Sequence, residues 1–465
     1  MKKIEFLAGV ALFAFQSVFA AGTVPVVANV VMRQNHLNCK VTISYSLSNA
    51  SAVVTADIQT NSPSGWLSIG AANLMRFSGD INRVVPVGDG HVVTWAPLEE
   101  AWTNAVSTIP AGGVRAVLTA WALEDPPPYM VTYLDSSVPE DDRIQFFASA
   151  DALPDGGLTN DVYRTTRLVM KKIPARGVTW LMGATSLQKG VSSTALDAVL
   201  DGGYKTEDAH FVTFTNNYYL GVYEFTQAQW KMFLGNYGNA YYSVERDMRP
   251  MENVSYFAAR ENDCSISTNA VSGGAEYDYP QGPHPQSLMG RLRTHVLNHA
   301  AFDLPSEAQW EFACRGGYPS GYYGDGRRMF NRLSAPLFYD SDRVYGYNAP
   351  SGTVQAASLA PAEGGTQIVG VNTVTNGYGL YNMHGNVSEW CLDWCASNVA
   401  ALDGAVNTTA LTNGTVCLGD RVKRGGNYLN ACTFARPSYR NLANPGSSRP
   451  NSGLRVCCPC GASIE

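Results

Sequence analysis

A chain of 465 residues exceeds what one hydrophobic core usually organises, so two domains are the default expectation. With 45% hydrophobic and only 15% charged residues it describes a folded, near-neutral protein and excludes extended disorder. The formal net charge of -6 comes without any block of Lys and Arg able to neutralise a run of phosphates, which excludes nucleic acid as an expected partner.

Residues 1–20, MKKIEFLAGVALFAFQSVFA, place Lys2 and Lys3 ahead of an apolar stretch from Phe6 to Phe15 and end in small residues before a cut expected after Ala20. This pattern predicts a secretory signal and a protein that is secreted or held in the periplasm or cell envelope. No other stretch approaches ~20 uninterrupted apolar residues, so no membrane span is expected after cleavage. Ten cysteines in an exported chain favour disulfides over zinc ligation. Only Cys39 falls in the N-terminal third, and spacing alone leaves the pairing open.

Residues 21–157 read as an all-β domain. In VTISYSL, Val41, Ile43, Tyr45 and Leu47 alternate with Thr42, Ser44 and Ser46, the period of a strand with one buried face. Val54, Ala56 and Ile58 repeat it, and turn signals at Asn61–Gly65, Gly88–Gly90 and Gly112–Gly113 separate further runs such as VRAVLTAWAL. The spacing predicts an antiparallel sandwich of immunoglobulin or fibronectin type. The triple proline Pro126–Pro128 marks an edge or a crossing between strands, Ile144, Phe146 and Ala148 offer a last strand, and DALPDGGLTND sets the domain boundary. His36 and Cys39 lie close together without a third ligand and read as structural. The domain is expected to act as a spacer or docking module.

Residues 158–465 lack the strand–helix alternation of a doubly wound fold and are rich in Gly, Asn, Tyr and Trp. Two helices stand out. FTQAQWKMFLGN has Thr226 as its N-cap, and LPSEAQWEFACRGG starts from Ser306 and stops at Gly316.

Five segments in order carry a resemblance over roughly residues 165–458: IPARGVTWLMG, YYLGVYEFTQAQW, FDLPSEAQWEFACRGG, NGYGLYNMHGNVSEWCLDW, and RGGNYLN with the closing NSGLRVC. Together they resemble the formylglycine-generating enzyme, or sulfatase-modifying factor, family, which implies an α+β C-type-lectin-like fold for this domain. In NGYGLYNMHGNVSEW the glycines permit unusual backbone and Asn382 and Glu389 supply oxygens, a set that suits a hard cation. The resemblance implies calcium held by the side chains of Asn382 and Glu389 and the carbonyls of Gly385 and Val387; the alternative is a tight turn bonded only to backbone. At the family's other calcium site only Asn348 is matched, and no ion is expected there.

The segment RGGNYLN departs from the family. Its oxidising members place a copper-binding cysteine just after the Gly-Gly turn and a second about five residues on, because thiolates select Cu(I). Here Asn430 holds the first position and Ala435 or Arg436 the second, leaving Cys432 as the only candidate thiol and copper doubtful. The usual serine after the double glycine is Asn427, and the usual tryptophan before Glu389 is Ser388. Tyr439, Arg440, Asn451, Gly453 and Arg455 match the closing pattern whose groups line or support the peptide groove, so Arg440 and Arg455 are expected to anchor a carboxylate or sulfate. The competing reading puts Arg455 in a core ion pair, for example with Glu311. In some relatives the cysteine matching Cys314 bonds to the final strand, where Val456 stands here and Cys457 follows.

His295 and His299 in HVLNH share a helix face if the helix continues, but no acidic base accompanies them, so metal ligation is not expected. WCLDWC and CCPC offer thiols for zinc, which export disfavours. Three functions follow: a non-oxidising binding or scaffold protein with a protein or peptide ligand, a sulfatase among them; a formylglycine-generating oxidase with unconventional ligands; or a glycan-binding adhesion protein.

Overall fold

The computed structural model describes residues 24–461 apart from 36, 71–76, 98–111, 185–206, 266–275, 319–364, 371–374, 396–398, 407–418 and 430–436. The signal segment, His36, Asn348, Asn430, Cys432, Ala435 and Arg436 therefore lie outside the described residues.

At the N-terminal end, a pair of antiparallel sheets shares one apolar cluster. The first runs in the order Val26–Gln34, Val41–Ser48, Gly88–Trp95, Phe77–Gly79. In the second, Ala52–Ser62 pairs with Gly65–Ser68, Val84–Val85 and Val114–Ala122. Val41, Ile43, Tyr45 and Leu47 point inward as the alternation requires, and meet Val54, Ile58, Val93 and Trp95. The Ala52–Ser62 strand breaks the alternation because it is covered on both faces. Val53, fully buried, packs with Trp121 into the core of the following domain, while Val54 faces the N-terminal core.

The last strand expected for the N-terminal domain, around Ile144 and Phe146, belongs to another sheet. Tyr129–Tyr133 and Ile144–Phe147 pair into a five-stranded sheet with Arg167–Ile173, Tyr218–Gly221 and Cys457–Pro459. The chain crosses to it at the prolines, whose carbonyls are used: Tyr219 donates its hydroxyl to Pro127 O at 2.6 Å and Lys172 its N–H to Pro128 O at 2.8 Å. The crossing thus precedes the DALPDGGLTND segment, where the boundary is expected from sequence.

Two further sheets flank this one, Thr179–Met182 with His210–Thr213 and Ala405–Val406, and Asn441–Ala443 with Arg421–Arg424, Ser388–Trp394 and Ser452–Gly453. The Gln227–Leu234 and Glu307–Arg315 helices begin at Thr226 and Ser306, each closing a capping box with a glutamine three residues on, and end at Gly235 and Gly316 in left-handed conformation. The Leu288–His295 helix ends too early for the HVLNH pairing. Leu297 and Asn298 are left-handed, and His295 Nε2 lies 2.8 Å from Tyr133 O with its ring edge-on to Phe233. Among the described residues no helix is long and apolar enough to cross a membrane.

Candidate functional site

Two loops meet where the sequence places its chemistry. In the first, Asn376 Nδ2 donates to the carbonyls of Ala313 and Cys314 at the end of the Glu307–Arg315 helix, and its Oδ1 accepts the N–H of Tyr378 and Leu380. Gly377 lies so close that an added Cβ would sit 2.1 Å from Gly316 O. The second loop follows Arg424. Gly425, at φ +93°, has its missing Cβ 3.1 Å from the Trp310 ring, so no larger residue fits without moving that indole. Gly385 N–H donates to Gly425 O at 2.7 Å and Tyr428 N–H to Asn386 O at 3.0 Å, which ties the two loops together.

Behind the loops lies a buried lattice of arginines and carboxylates. Arg424 pairs with Glu307 at 2.6 Å and Glu311 at 2.8 Å and also donates to the carbonyls of Pro437 and Tyr439. Arg440 grips both oxygens of Glu307, while Arg315 binds Glu311. Asp393 accepts the Glu307 N–H at 2.6 Å. Burial and the Glu307 charge push its carboxyl up to about 7, while the two arginines hold Glu307 below its usual range.

Arg455 is completely buried and pairs with Glu389, not Glu311, its Nε 3.1 and 3.0 Å from the two carboxylate oxygens. Trp310 Nε1 donates to Glu389 Oε2 at 2.6 Å. Arg440 and Arg455, expected to anchor a ligand's anion, thus spend their charge on internal carboxylates. Two further carboxylates complete the neighbourhood, and no sequence motif marks either. Glu224 accepts from Asn386 Nδ2 at 2.5 Å and Val387 N–H at 3.2 Å, and burial together with the Glu389 charge raises its pKa well above the carboxylate range. Glu252 accepts the N–H of Tyr241 and of Tyr242, its Oε2 is buried without a partner, and burial pushes it up to about 7. The available signal was a lone charged residue in each of the segments YYLGVYEF and PMENVSYF.

The other expected positions fall as follows. Asn382 Oδ1 accepts the Gly370 N–H at 2.8 Å. Asn427, buried, donates from Nδ2 to Ser388 Oγ at 3.0 Å and accepts the Leu429 N–H, so the two departures from the family pattern bond to each other. Asn451 O accepts the Ser388 N–H, and Tyr439 is half-buried with its carbonyl on Arg424. Beside Asn427, the buried Tyr428 shares a 2.8 Å hydroxyl contact with Tyr242, and the exposed Tyr241 packs edge-on against Tyr242.

Among the described cysteines, Cys264, Cys314, Cys391, Cys457, Cys458 and Cys460 are buried free thiols, and Cys395 is disulfide-bonded. Cys314 Sγ contacts Met383 O at 3.6 Å, whereas Cys457 Sγ faces Gln309 Oε1 at 3.7 Å. Each sulfur thus has its own neighbour, and the two thiols are not bonded to each other. Burial raises the pKa of Cys314 and Cys391 well above the usual thiol range and makes both poor nucleophiles or metal ligands. Among the described residues no three His, Cys, Asp or Glu side chains converge on a metal position.

The family described as a sulfatase-modifying factor enzyme 1-like domain matches residues 174–458. The chain belongs to this family. Among its relatives, the formylglycine-generating enzyme of Mus musculus is 30% identical over 202 residues, 39% of this chain and 48% of that protein. That of Thermomonospora curvata is 29% identical over 204 residues, 39% of this chain and 61% of its own length. A protein of Paenibacillus barcinonensis named chaperone protein LppX is 27% identical over 282 residues, 57% of this chain and 91% of that protein. The chain therefore spans about half to three-fifths of the two formylglycine-generating enzymes. The mostly β architecture with a few short helices agrees with the C-type-lectin-like fold that sulfatase-modifying factor membership implies.

Proposed function

We propose that the protein is an exported, non-oxidising member of the family, a binding or scaffold module for a protein or peptide ligand. The observation that carries this reading is the buried hydrogen bond between Asn427 and Ser388: where the oxidising members place a serine and a tryptophan, two polar side chains satisfy each other. Beside them the copper positions fall to Asn430 and Ala435 or Arg436, none of which can replace a thiolate. A relative named a chaperone, matched over 91% of its length, supports a role in handling other proteins. In this reading the N-terminal sheets form an immunoglobulin- or fibronectin-type sandwich that docks the molecule. The competing assignments are a formylglycine-generating oxidase, with a sulfatase as its partner, and a glycan-binding adhesin. Protein recovered after export is expected to begin at Ala21, to carry substoichiometric copper, and to consume no oxygen with a cysteine-containing sulfatase peptide. Stoichiometric copper with peptide-dependent oxygen uptake would establish the oxidase instead, and chelator-sensitive binding on a glycan array the adhesin.

Calcium fits the residues only in competition. The Glu389 carboxylate that would join Asn382 and the carbonyls of Gly385 and Val387 is held by Arg455, and calcium can take it only by leaving that arginine buried without its partner. We therefore propose weak binding, in the roughly 10⁻⁴–10⁻³ M range of extracellular calcium modules. Calcium titration is expected to raise the melting temperature only at millimolar concentrations and to do nothing in Glu389→Gln. Tight binding that survives dialysis against chelator contradicts this.

A further inference from the structure

A cavity of about 730 Å³ lies at the seam between the N-terminal sheets and the sulfatase-modifying factor domain, far larger than a packing defect and within the range of ligand sites. Its floor is apolar, with Val84 and Leu123 from the N-terminal region and Phe146 and Val296 from the region that follows. Its lining also carries four carboxylates, Asp80, Glu124, Glu140 and Asp141, against one guanidinium, Arg83. Arg83 is already spent on Asp80 at 2.8 Å and Asp142 at 3.6 Å. Glu140 has Arg143 at 3.6 Å, but that guanidinium donates to the carbonyls of Val138, Ser136 and His295. Among the described residues Glu124 and Asp141 have no ion-pair partner, and both are exposed.

We propose that this seam cavity binds an extended peptide segment in which basic and apolar residues alternate. The apolar floor accepts apolar side chains and the stems of Lys or Arg, whose charged ends reach the carboxylates in contact with water. The acids come from separate segments, Glu124 just beyond the Val114–Ala122 strand and Glu140 and Asp141 in the turn before Ile144–Phe147. A single small amine satisfies one of them; a chain with two basic residues satisfies both. Because the walls come from two regions of the molecule, an occupant also braces the seam. This site is separate from the loops around Gly425 and does not depend on whether they oxidise anything.

The test uses the full chain and two fluorescent peptides, one of alternating Lys and Leu, the other of alternating Glu and Leu. The Lys peptide is expected to bind, to lose about tenfold in affinity in the exposed double variant Glu124→Gln/Asp141→Asn, and to weaken further with salt. The Glu peptide is expected not to bind, and an unchanged melting temperature shows that the variant still folds. Equal binding of both peptides, no binding of either, or a variant indistinguishable from the parent overturns the proposal. So does displacement of the Lys peptide by equimolar hexylamine, which would assign the cavity to a small amine.

Discussion

Replacing Arg455 by methionine is expected to cost the protein about 3–5 kcal/mol of stability, enough to leave much of it unfolded at 37 °C. The side chain is fully buried and all its donors are used: Nε and Nη2 on Glu389, Nη2 also on Tyr381 O at 2.9 Å, and Nη1 on Gly221 O at 2.9 Å and Val222 O at 3.2 Å. Methionine fills similar volume but leaves three carbonyls without these donors. It also leaves Glu389 with the Trp310 indole N–H but no arginine, next to Glu224, so that the cation both carboxylates share is gone. Most of the loss comes from that orphaned charge rather than from the attraction removed, so Arg455→Met/Glu389→Gln should recover much of it. Urea titration of the two variants beside the parent measures both quantities. A single-variant loss below about 1 kcal/mol, the size of an exposed pair, would mean that the Arg455–Glu389 contact is solvated. A double variant no better than the single would mean that packing, not charge, sets the cost.

The same arginine shows where the sequence stops being informative. Its membership of a closing motif is legible, and an ion pair is one of the two roles its chemistry allows, but the order of residues names only the charge types. Which of several glutamates it meets depends on how the Ser388–Trp394 strand lies beside Ser452–Gly453, a pairing between segments 64 residues apart at Ser388↔Ser452. Local signals did better. Thr226 and Ser306 begin their helices because capping boxes are short-range chemistry, and Val41, Ile43, Tyr45 and Leu47 face inward because a strand's period is written in its own residues. Nothing in the residues of Tyr129–Tyr133 and Ile144–Phe147 says which sheet they join, and only the prolines before them mark the chain's passage from one to the other. At the site, Asn427 and Ser388 were legible as two departures from a pattern. That they compensate each other follows only from the fold, which brings residues 39 positions apart to 3.0 Å. Glu224 and Glu252 carry no such mark, because a single acidic residue between apolar ones has no motif, although a buried carboxylate is one of the costlier things a fold can contain.

That cost gives the second large expectation: between pH 5.5 and pH 8 the protein should lose stability as the pH rises, by several kcal/mol in total. Glu252, Glu261 and Asp393 are buried, and in each burial outweighs the nearby donors and arginines and lifts the carboxyl to about 7. A carboxyl whose folded pKa exceeds its unfolded one binds its proton more tightly in the native state. Its contribution is therefore fully present below the unfolded value near 4 and is lost as pH climbs through 7, at up to about 1.4 kcal/mol per pH unit for each group. Glu224 acts in the same direction. His295 opposes it, because burial lowers its pKa and its contribution is lost as pH falls, but among the described residues it stands against these four buried carboxyls and the raised Asp420. Lys423, depressed to about 8 by burial, changes stability only above the window. The urea midpoint should therefore be higher at pH 5.5 than at pH 8. Glu252→Gln, which keeps an oxygen for the N–H groups of Tyr241 and Tyr242 but cannot ionise, should flatten the slope by about one proton. A midpoint that rises toward pH 8, or an unchanged slope in the variant, would place these carboxylates in contact with water. Because Glu252 holds the backbone of Tyr242, which packs against Tyr428, and of Tyr241, which packs against Tyr242, the same titration should loosen the edge of the candidate site beside Asn427. Hydrogen exchange at Tyr241 and Tyr242, faster at pH 8 than the intrinsic pH dependence predicts, reads that coupling directly.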